Sequence, residues 1–355
     1  MRYESSVDLA QLDDFDEVID VRSPAEFALD HVPGAVNCPV LDNEERARVG
    51  TVYKQISTFE ARRIGAALVA KNVAQHLEAH FATRDQRWKP LIYCWRGGKR
   101  SASMTLILRE IGWDAATLRG GYQSYRRAML AQLEELPARF DYRVICGPTG
   151  SGKSRLLQKL ASGGAQVLDL EALARHRGSV LGDLPGDPQP AQKMFESLVW
   201  NALRSFDAAR TVFVEAESRK IGTVRIPQVL LESMRKSSCV RIEVPVAERV
   251  RFLITEYRHF LAEPGWLKTQ LSRLTALHSK ATVARWIAQI DAREWEDLVG
   301  DLLATHYDPA YLRSMGNNYP GLADAVPLNA ACLDDAGFKK SACTLLDPAF
   351  PAARG

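Results

Sequence analysis

Apolar positions along the first third of the chain come in short runs separated by amphipathic stretches. "EVIDV" at 17–21 reads as a buried strand, and "SPAEFALDH" at 23–31 reads as a helix with Ser23 as N-cap and Pro24 at its first position. "VPGAVNCPV" gives a turn and a second strand, 63–81 a helix, and "PLIYC" at 90–94 a third strand. "RSASMTLILREIG" predicts a helix closed by Gly112, and 114–133 a fourth strand, a Gly-Gly break and a helix. Strands alternating with helices over this length predict a parallel sheet covered on both faces. "EELPARFD" at 134–141 reads as a linker, and the pattern restarts with the strand "YRVIC", a glycine-rich loop and the helix "SRLLQKLAS". Further strands are expected in "AQVLDLE", "TVFVEAES" and "SCVRIEVPV", with a Pro/Gly-rich loop at 181–190 leading into a helix over 191–206. From Glu248 the periodicity is helical throughout, and the last 25 residues show little periodicity and read as a loosely ordered tail.

The fold class is therefore α/β: a domain over 1–135, a second α/β domain over 140–247, a helical appendage over 248–320 and a tail over 321–355. The 355 residues suffice for two cores, and 46% apolar with 25% charged residues is the balance of a folded globular protein. No signal peptide and no long apolar run stands out, so a cytoplasmic protein without membrane contact is expected. Six scattered cysteines show neither zinc spacing nor a disulfide framework. The net charge of +3 is too small to imply a nucleic-acid partner, so charge has to be read by segment.

Two loops carry candidate chemistry. In "CWRGGKRS", Cys94 ends a strand just before a helix, where backbone N–H groups and cations lower a thiol pKa. Gly97 and Gly98 allow the loop to curve, and Arg96, Lys99 and Arg100 add charge. A cysteine that only packs needs none of these neighbours. "GPTGSGKS" at 147–154 completes G-x-x-x-x-G-K-[ST] between a strand and a helix. Its residues Gly147, Thr149, Gly150, Ser151 and Gly152 would cradle a diphosphate, Lys153 would reach a terminal phosphate, and Ser154 would hold Mg2+. Glu215 or Glu217 would supply a carboxylate to that metal. Asp169, Glu171, His176 and Arg177 follow a strand end, where parallel sheets gather ligands; surface or capping chemistry explains them equally well.

The first 130 residues resemble the rhodanese family. The signature is "VIDVRSPAEFALDHVPGAVNCPV", with Asp20, Arg22, Glu26, Phe27, His31, Pro33, Gly34, Ala35 and Asn37 in place. The resemblance implies a cysteine that carries sulfur or selenium. Five residues separate Cys94 from Arg100, where the common single-domain sulfurtransferase loop has four. Related phosphatases share the longer spacing, and a wider loop suits a larger anion such as selenophosphate. Together with "VLDNEERARVGTVYK" at 40–54, "DLEALARHRGSVLG" at 169–182, "VFVEAESRKIG" at 212–222 and "HYDPAY" at 306–311, the chain resembles the tRNA 2-selenouridine synthase family. That resemblance implies exchange of sulfur for selenium at the wobble 2-thiouridine of tRNA, with geranyl diphosphate alkylating the sulfur and selenophosphate displacing the S-geranyl group. Cys94, with Arg96, Gly97, Gly98, Lys99 and Arg100, would then serve the selenium step, and the loop 147–154 would hold the geranyl donor's diphosphate. An isoprenyl diphosphate and ATP present the same diphosphate to such a loop.

Within 249–285, Arg249, Arg251, Arg258, Lys268, Arg273, Lys280 and Arg285 outnumber Glu256 and Glu263, with Tyr257, Trp266 and Trp286 among them. The segment suits tRNA phosphate contacts, Arg251, Arg258, Arg273 and Lys280 being the chosen candidates, although each aromatic on its own reads better as core. Arg119, Arg126 and Arg127 with Tyr122 and Tyr125 extend the same kind of surface. Competing readings are a P-loop kinase with a regulatory rhodanese domain, a sulfurtransferase or phosphatase-like enzyme, and a non-catalytic RNA-binding scaffold.

Overall fold

The computed structural model describes residues 6–351 apart from 179–181, 183–185, 259–260 and 262. Parts of the expected loop over 181–190, of the 169–182 block and of the appendage therefore lie outside the described residues, as do 352–355 of the tail. Two compact units emerge, one of 1–134 with 190–201 and one of 135–189 with 202–355. Residues 190–201, read from sequence as part of the second α/β segment, thus group with the first unit.

In the first unit five parallel strands run in the order β1 (Ser6–Val7), β5 (Ala116–Leu118), β4 (Pro90–Tyr93), β2 (Glu17–Asp20), β3 (Val36–Asn37). All four residues of β4 are buried, as a central strand covered on both faces requires. Helices α1 (Pro24–Leu29), α2 (Asn43–Gln55), α3 (Thr58–His76), α4 (Lys99–Ile111) and α5 (Gly121–Glu135) complete the layers. Gly112 ends α4 at φ +111°, where a side chain would be strained. Ile19, Val21, Cys38, Phe81, Ile92, Met104 and Leu108 form one core. Strand β1 was missed because two residues carry no period, and α2 because its exposed face is nearly all polar.

The second unit holds another five-stranded parallel sheet, ordered β12 (Val326–Asn329), β11 (Ser238–Glu243), β6 (Tyr142–Cys146), β8 (Val212–Glu215), β7 (Gln166–Leu168). A small antiparallel pair, β9 (Lys220–Ile221) and β10 (Val224–Arg225), stands apart. Helix α6 (Lys153–Ser162) packs on the sheet, and α7 (Leu170–Ala174), α9 (Gln228–Lys236) and α10 (Val246–Glu256) follow in the chain, whereas most of α8 (Gln192–Arg204) groups with the first unit.

The loosely ordered tail is corrected. Strand β12 pairs with β11 from Val240↔Val326 to Glu243↔Asn329, and Pro327 is tolerated because β12 is an edge strand. The helix Asp335–Leu346 then lays Phe338, Ala342 and Leu345 into the core beside Leu156, Leu160 and Ile242. Their i, i+4, i+7 spacing is helical, but small Ser341 and Ala342 dilute the apolar signal. Asp334 caps this helix by accepting the Gly337 N–H at 2.7 Å.

The appendage has its own core of Leu267, Leu271, Leu274, Val283, Ile290, Leu298 and Leu302 around Trp286, which is fully buried and donates its indole N–H to Asp301 at 3.0 Å. Trp266 and Tyr257 pack against this core, so these aromatics are core, as each reads individually. No helix among the described residues is long and apolar enough to cross a membrane.

Candidate active sites: a thiolate cradle and a diphosphate loop

Strand β4 ends at Tyr93, and Cys94 sits next to it with only 3% of its surface exposed. The Gly98 N–H and the Ser101 hydroxyl each donate to its sulfur at 3.2 Å. Because α4 begins at Lys99, the sulfur also faces the positive end of that helix. Burial opposes ionisation, but the Ser101 and Gly98 hydrogen bonds and the Arg100 charge outweigh it, and the Cys94 thiol lies below its ordinary pKa. Ser101→Ala should therefore raise the pH at which the ultraviolet thiolate absorbance appears, with Cys94→Ser as the blank. Identical titration curves for wild type and Ser101→Ala would show that the hydroxyl does not hold the thiolate.

The loop is closed from behind by the Gly-Gly break after β5. Gly121 sits at φ +59°, and a Cβ there would lie 2.2 Å from the Cys94 carbonyl. Gly97, at φ +64°, has the Leu118 carbonyl 2.9 Å from where its Cβ would be. Tyr122 N–H donates to the Cys94 carbonyl at 2.8 Å and Gln123 N–H to Trp95 at 3.1 Å, which clamps the loop onto the start of α5. Trp95 stacks on Tyr122 with ring centres 5.1 Å apart. Arg96 donates to Gln123 at 3.1 Å, Lys99 is exposed, and Arg100 pairs with Glu26 at 3.0 Å, holding that carboxyl below its usual range against its burial. The three cations thus ring the loop at different depths.

The signature residues build the floor beneath. Buried Arg22 donates to Asp20 at 2.6 to 3.0 Å and to the Asp30 carbonyl at 2.6 Å, with its guanidinium 4.0 Å from the Tyr122 ring centre. Asn37 donates to the Asp20 and Arg22 carbonyls at 2.9 Å, and His31 stacks on Phe27 at 3.7 Å. Tyr122 and Ser197 donate to the Asp30 carboxylate at 2.7 Å, and Arg126 pairs with Asp30 and Glu196. Tyr122, Tyr125 and Arg126 are therefore packing and pairing groups, not parts of the exposed basic surface expected from sequence; Arg119 pairs with Asp8.

In the second unit the loop from Gly147 to Gly152 joins β6 to α6. Gly150 and Gly152 have φ of +80° and +77°. A Cβ on Gly152 would come within 2.5 Å of Phe338, and one on Gly150 within 2.8 Å of Leu253, so both glycines are required by conformation and by close approach. Lys153 donates to the Gly147 carbonyl at 3.0 Å. Arg249, 3% exposed, donates to the Thr149 carbonyl at 2.9 Å and forks onto Asp308. That buried brace corrects the reading of Arg249 as a tRNA-facing cation, and it gives Asp308 of "HYDPAY" a role that the sequence did not reveal.

Ser154 donates to Glu171 at 2.8 Å and lies 3.4 Å from Glu215. Glu171, Glu215 and Glu217 bring a carboxylate oxygen each to within 4.8 Å of one another. Burial first, then mutual repulsion, pushes Glu215 well above the usual range and Glu217 up to about 8, with Lys153 opposing. Tyr319 fixes the Glu217 backbone by accepting its N–H at 3.0 Å and donating to its carbonyl at 2.8 Å. Glu171, just past the end of β7, thus joins Glu215 and Glu217 at the end of β8, a grouping that brings two strand ends together and is invisible in any local pattern. Asp169 instead caps α7 through the Ala172 N–H at 2.9 Å, and Arg177 lies over the Tyr257 ring at 4.9 Å. His176 is buried. A cleft of about 580 Å³ opens over the loop, lined by Thr149, Lys153, Ser154, Glu171, Glu217 and Tyr311 among others.

Among the appendage cations, Arg251, Arg258, Arg273 and Lys280 are exposed. Arg251 pairs with Glu248, Lys268 with Asp291 and Arg285 with Asp301.

The family model described as "tRNA 2-selenouridine synthase AAA domain" matches residues 140–266, and that of the "Rhodanese-like domain" matches 6–128. The chain is 40% identical over 244 residues to a tRNA 2-selenouridine synthase of Nitrosomonas europaea, a match spanning 68% of this chain but 63% of that one. It is 39% identical over 272 residues to that of Nitrosomonas eutropha, covering 75% and 68%. With the enzyme of Aeromonas salmonicida it shares 34% over 344 residues, covering 87% of this chain and 90% of the relative. On these matches the chain belongs to the tRNA 2-selenouridine synthase family.

Proposed function

We propose that the protein replaces the sulfur of a wobble 2-thiouridine in tRNA by selenium, in two steps served by its two loops. The observation that carries this reading is the presence in one chain of a cradle that lowers a thiol's pKa and a complete glycine-rich loop of the phosphate-binding pattern, both with their chemistry-bearing residues intact. In the first step the thiocarbonyl sulfur attacks C1 of geranyl diphosphate. The C1–O bond breaks with its electron pair going to the departing diphosphate. Charge grows on that oxygen, and the amides of Gly147 to Ser154 with the Lys153 ammonium are where it is met. In the second step selenium from selenophosphate adds at C2, geranylthiol leaves, and water cleaves the P–Se bond to give phosphate. Alkylation comes first because a thiol leaves readily and a thiocarbonyl sulfur does not. Cys94 handles the selenium, and Arg96, Lys99, Arg100 and the loop amides of Gly97 and Gly98 hold the anion.

The three carboxylates and the Ser154 hydroxyl form an all-oxygen set that fits a hard divalent cation, and burial raises their pKa values as long as no cation neutralises them. Mg2+ held there would offset diphosphate charge. The exposed Arg251, Arg258, Arg273 and Lys280 supply phosphate contacts to tRNA. The reading is tested by supplying the full chain with tRNA bearing 2-thiouridine, geranyl diphosphate and selenophosphate, then resolving the nucleosides by mass. 2-Selenouridine is expected only when both co-substrates are present. Its formation without geranyl diphosphate, or with ATP as the required donor instead, would overturn the two-step order.

A further inference from the structure

We infer that an apolar slot beside the diphosphate loop receives the hydrocarbon end of the donor and sets how long that hydrocarbon must be. The inference rests on the reading of that loop as the donor's diphosphate site and adds where the rest of the donor lies. The slot continues from the cleft over the loop, since Thr149, Leu253, Tyr257 and Tyr307 line both. Beyond them its walls are Ile254, Leu267, Leu298, Val299, Leu302 and Leu303, whose side chains carry no donor or acceptor. A nucleobase needs partners along its ring edges, and a deep wall of aliphatic groups leaves those edges unpaired. A branched hydrocarbon loses nothing there and is removed from water.

Position strengthens the argument. Thr149 belongs to the diphosphate loop, and its carbonyl is held by the buried Arg249, so the head-group cradle and the mouth of the slot are fixed to one another. Gly150 presses against Leu253, a wall shared by cleft and slot, so the loop's own conformation shapes the entrance. Leu267, Leu298 and Leu302 are also members of the appendage core, which gives the slot a packed wall. With about 70 Å³ of free space against about 580 Å³ in the cleft, the slot takes the far isoprene unit, while the near unit and the diphosphate occupy the cleft. Chain length is therefore sensed by the slot, and charge by the loop.

Calorimetric binding to the full chain separates the two. Geranyl diphosphate should bind at least ~30-fold more tightly than dimethylallyl diphosphate, which has one isoprene unit and cannot reach the slot. Inorganic diphosphate should bind more weakly still. Val299→Trp, at a half-buried slot position, should abolish the difference between the two prenyl donors while inorganic diphosphate binds as before; a thermal melt checks that the variant folds. The length series on the unaltered chain needs no variant and decides the matter alone. Equal affinity for the ten- and five-carbon donors, with both still weakened by Lys153→Ala, would overturn the slot and leave the diphosphate reading standing. Tighter binding of ADP than of geranyl diphosphate would overturn both.

Discussion

Lys153→Ala should slow geranyl transfer by roughly 10²- to 10³-fold, the effect of about 2.7–4 kcal/mol expected when one preorganised donor to a developing oxyanion is removed. Lys153 stands at the first position of α6, anchored on the Gly147 carbonyl at 3.0 Å, so its ammonium is already held at the loop. It also opposes the raised pKa values of Glu171, Glu215 and Glu217, with Arg177 acting beside it on Glu171. Its loss leaves three crowded carboxyls with less to favour ionisation, which shifts them further toward their protonated forms. The check is a single-turnover measurement of S-geranyl-2-thiouridine formation on a 2-thiouridine RNA, with Lys153→Arg beside it. Geranyl transfer that proceeds at the wild-type rate in Lys153→Ala, together with lost ATP binding, would move the P-loop unit to the kinase reading.

What the sequence showed of these sites followed sequence distance. The glycine-rich loop and the cysteine loop are each contiguous in sequence, so strand, turn and helix start fall within one short window, and each lies between a strand and a helix as expected. Their supports come from far along the chain. The back wall of the cysteine loop is Gly121, and the brace on Thr149 is the Arg249–Asp308 pair. Glu171, Glu215 and Glu217 converge only because β7 and β8 lie side by side in a parallel sheet. Arg249 shows the limit most plainly: as one arginine in a basic stretch it reads as a phosphate contact, and only the fold reveals the carboxylate waiting for it. The C-terminal helix was missed for a related reason. Phe338, Ala342 and Leu345 have the right spacing, but nothing local says that a sheet edge is there to receive them.

Cys94→Ser should abolish formation of 2-selenouridine while S-geranylated 2-thiouridine accumulates. The substitution keeps the size of the group and both donors, the Gly98 N–H and the Ser101 hydroxyl at 3.2 Å, so the loop should stay closed. What disappears is the ionisable sulfur, because an alcohol in the same cradle does not ionise near neutral pH. In the proposed two-step reaction geranyl transfer uses the other loop, so it should continue. Cys38 supplies the contrast within the same unit: burial, reinforced by Glu17, pushes its thiol up to about 12, and it lies in the core with no surface exposed. Cys38→Ala should leave the product ratio unchanged and cost only stability. Nucleoside mass analysis after reaction of each variant reads both products at once. Normal 2-selenouridine from Cys94→Ser would remove Cys94 from the selenium step, whereas loss of both products would mean that the thiolate loop also serves the alkylation.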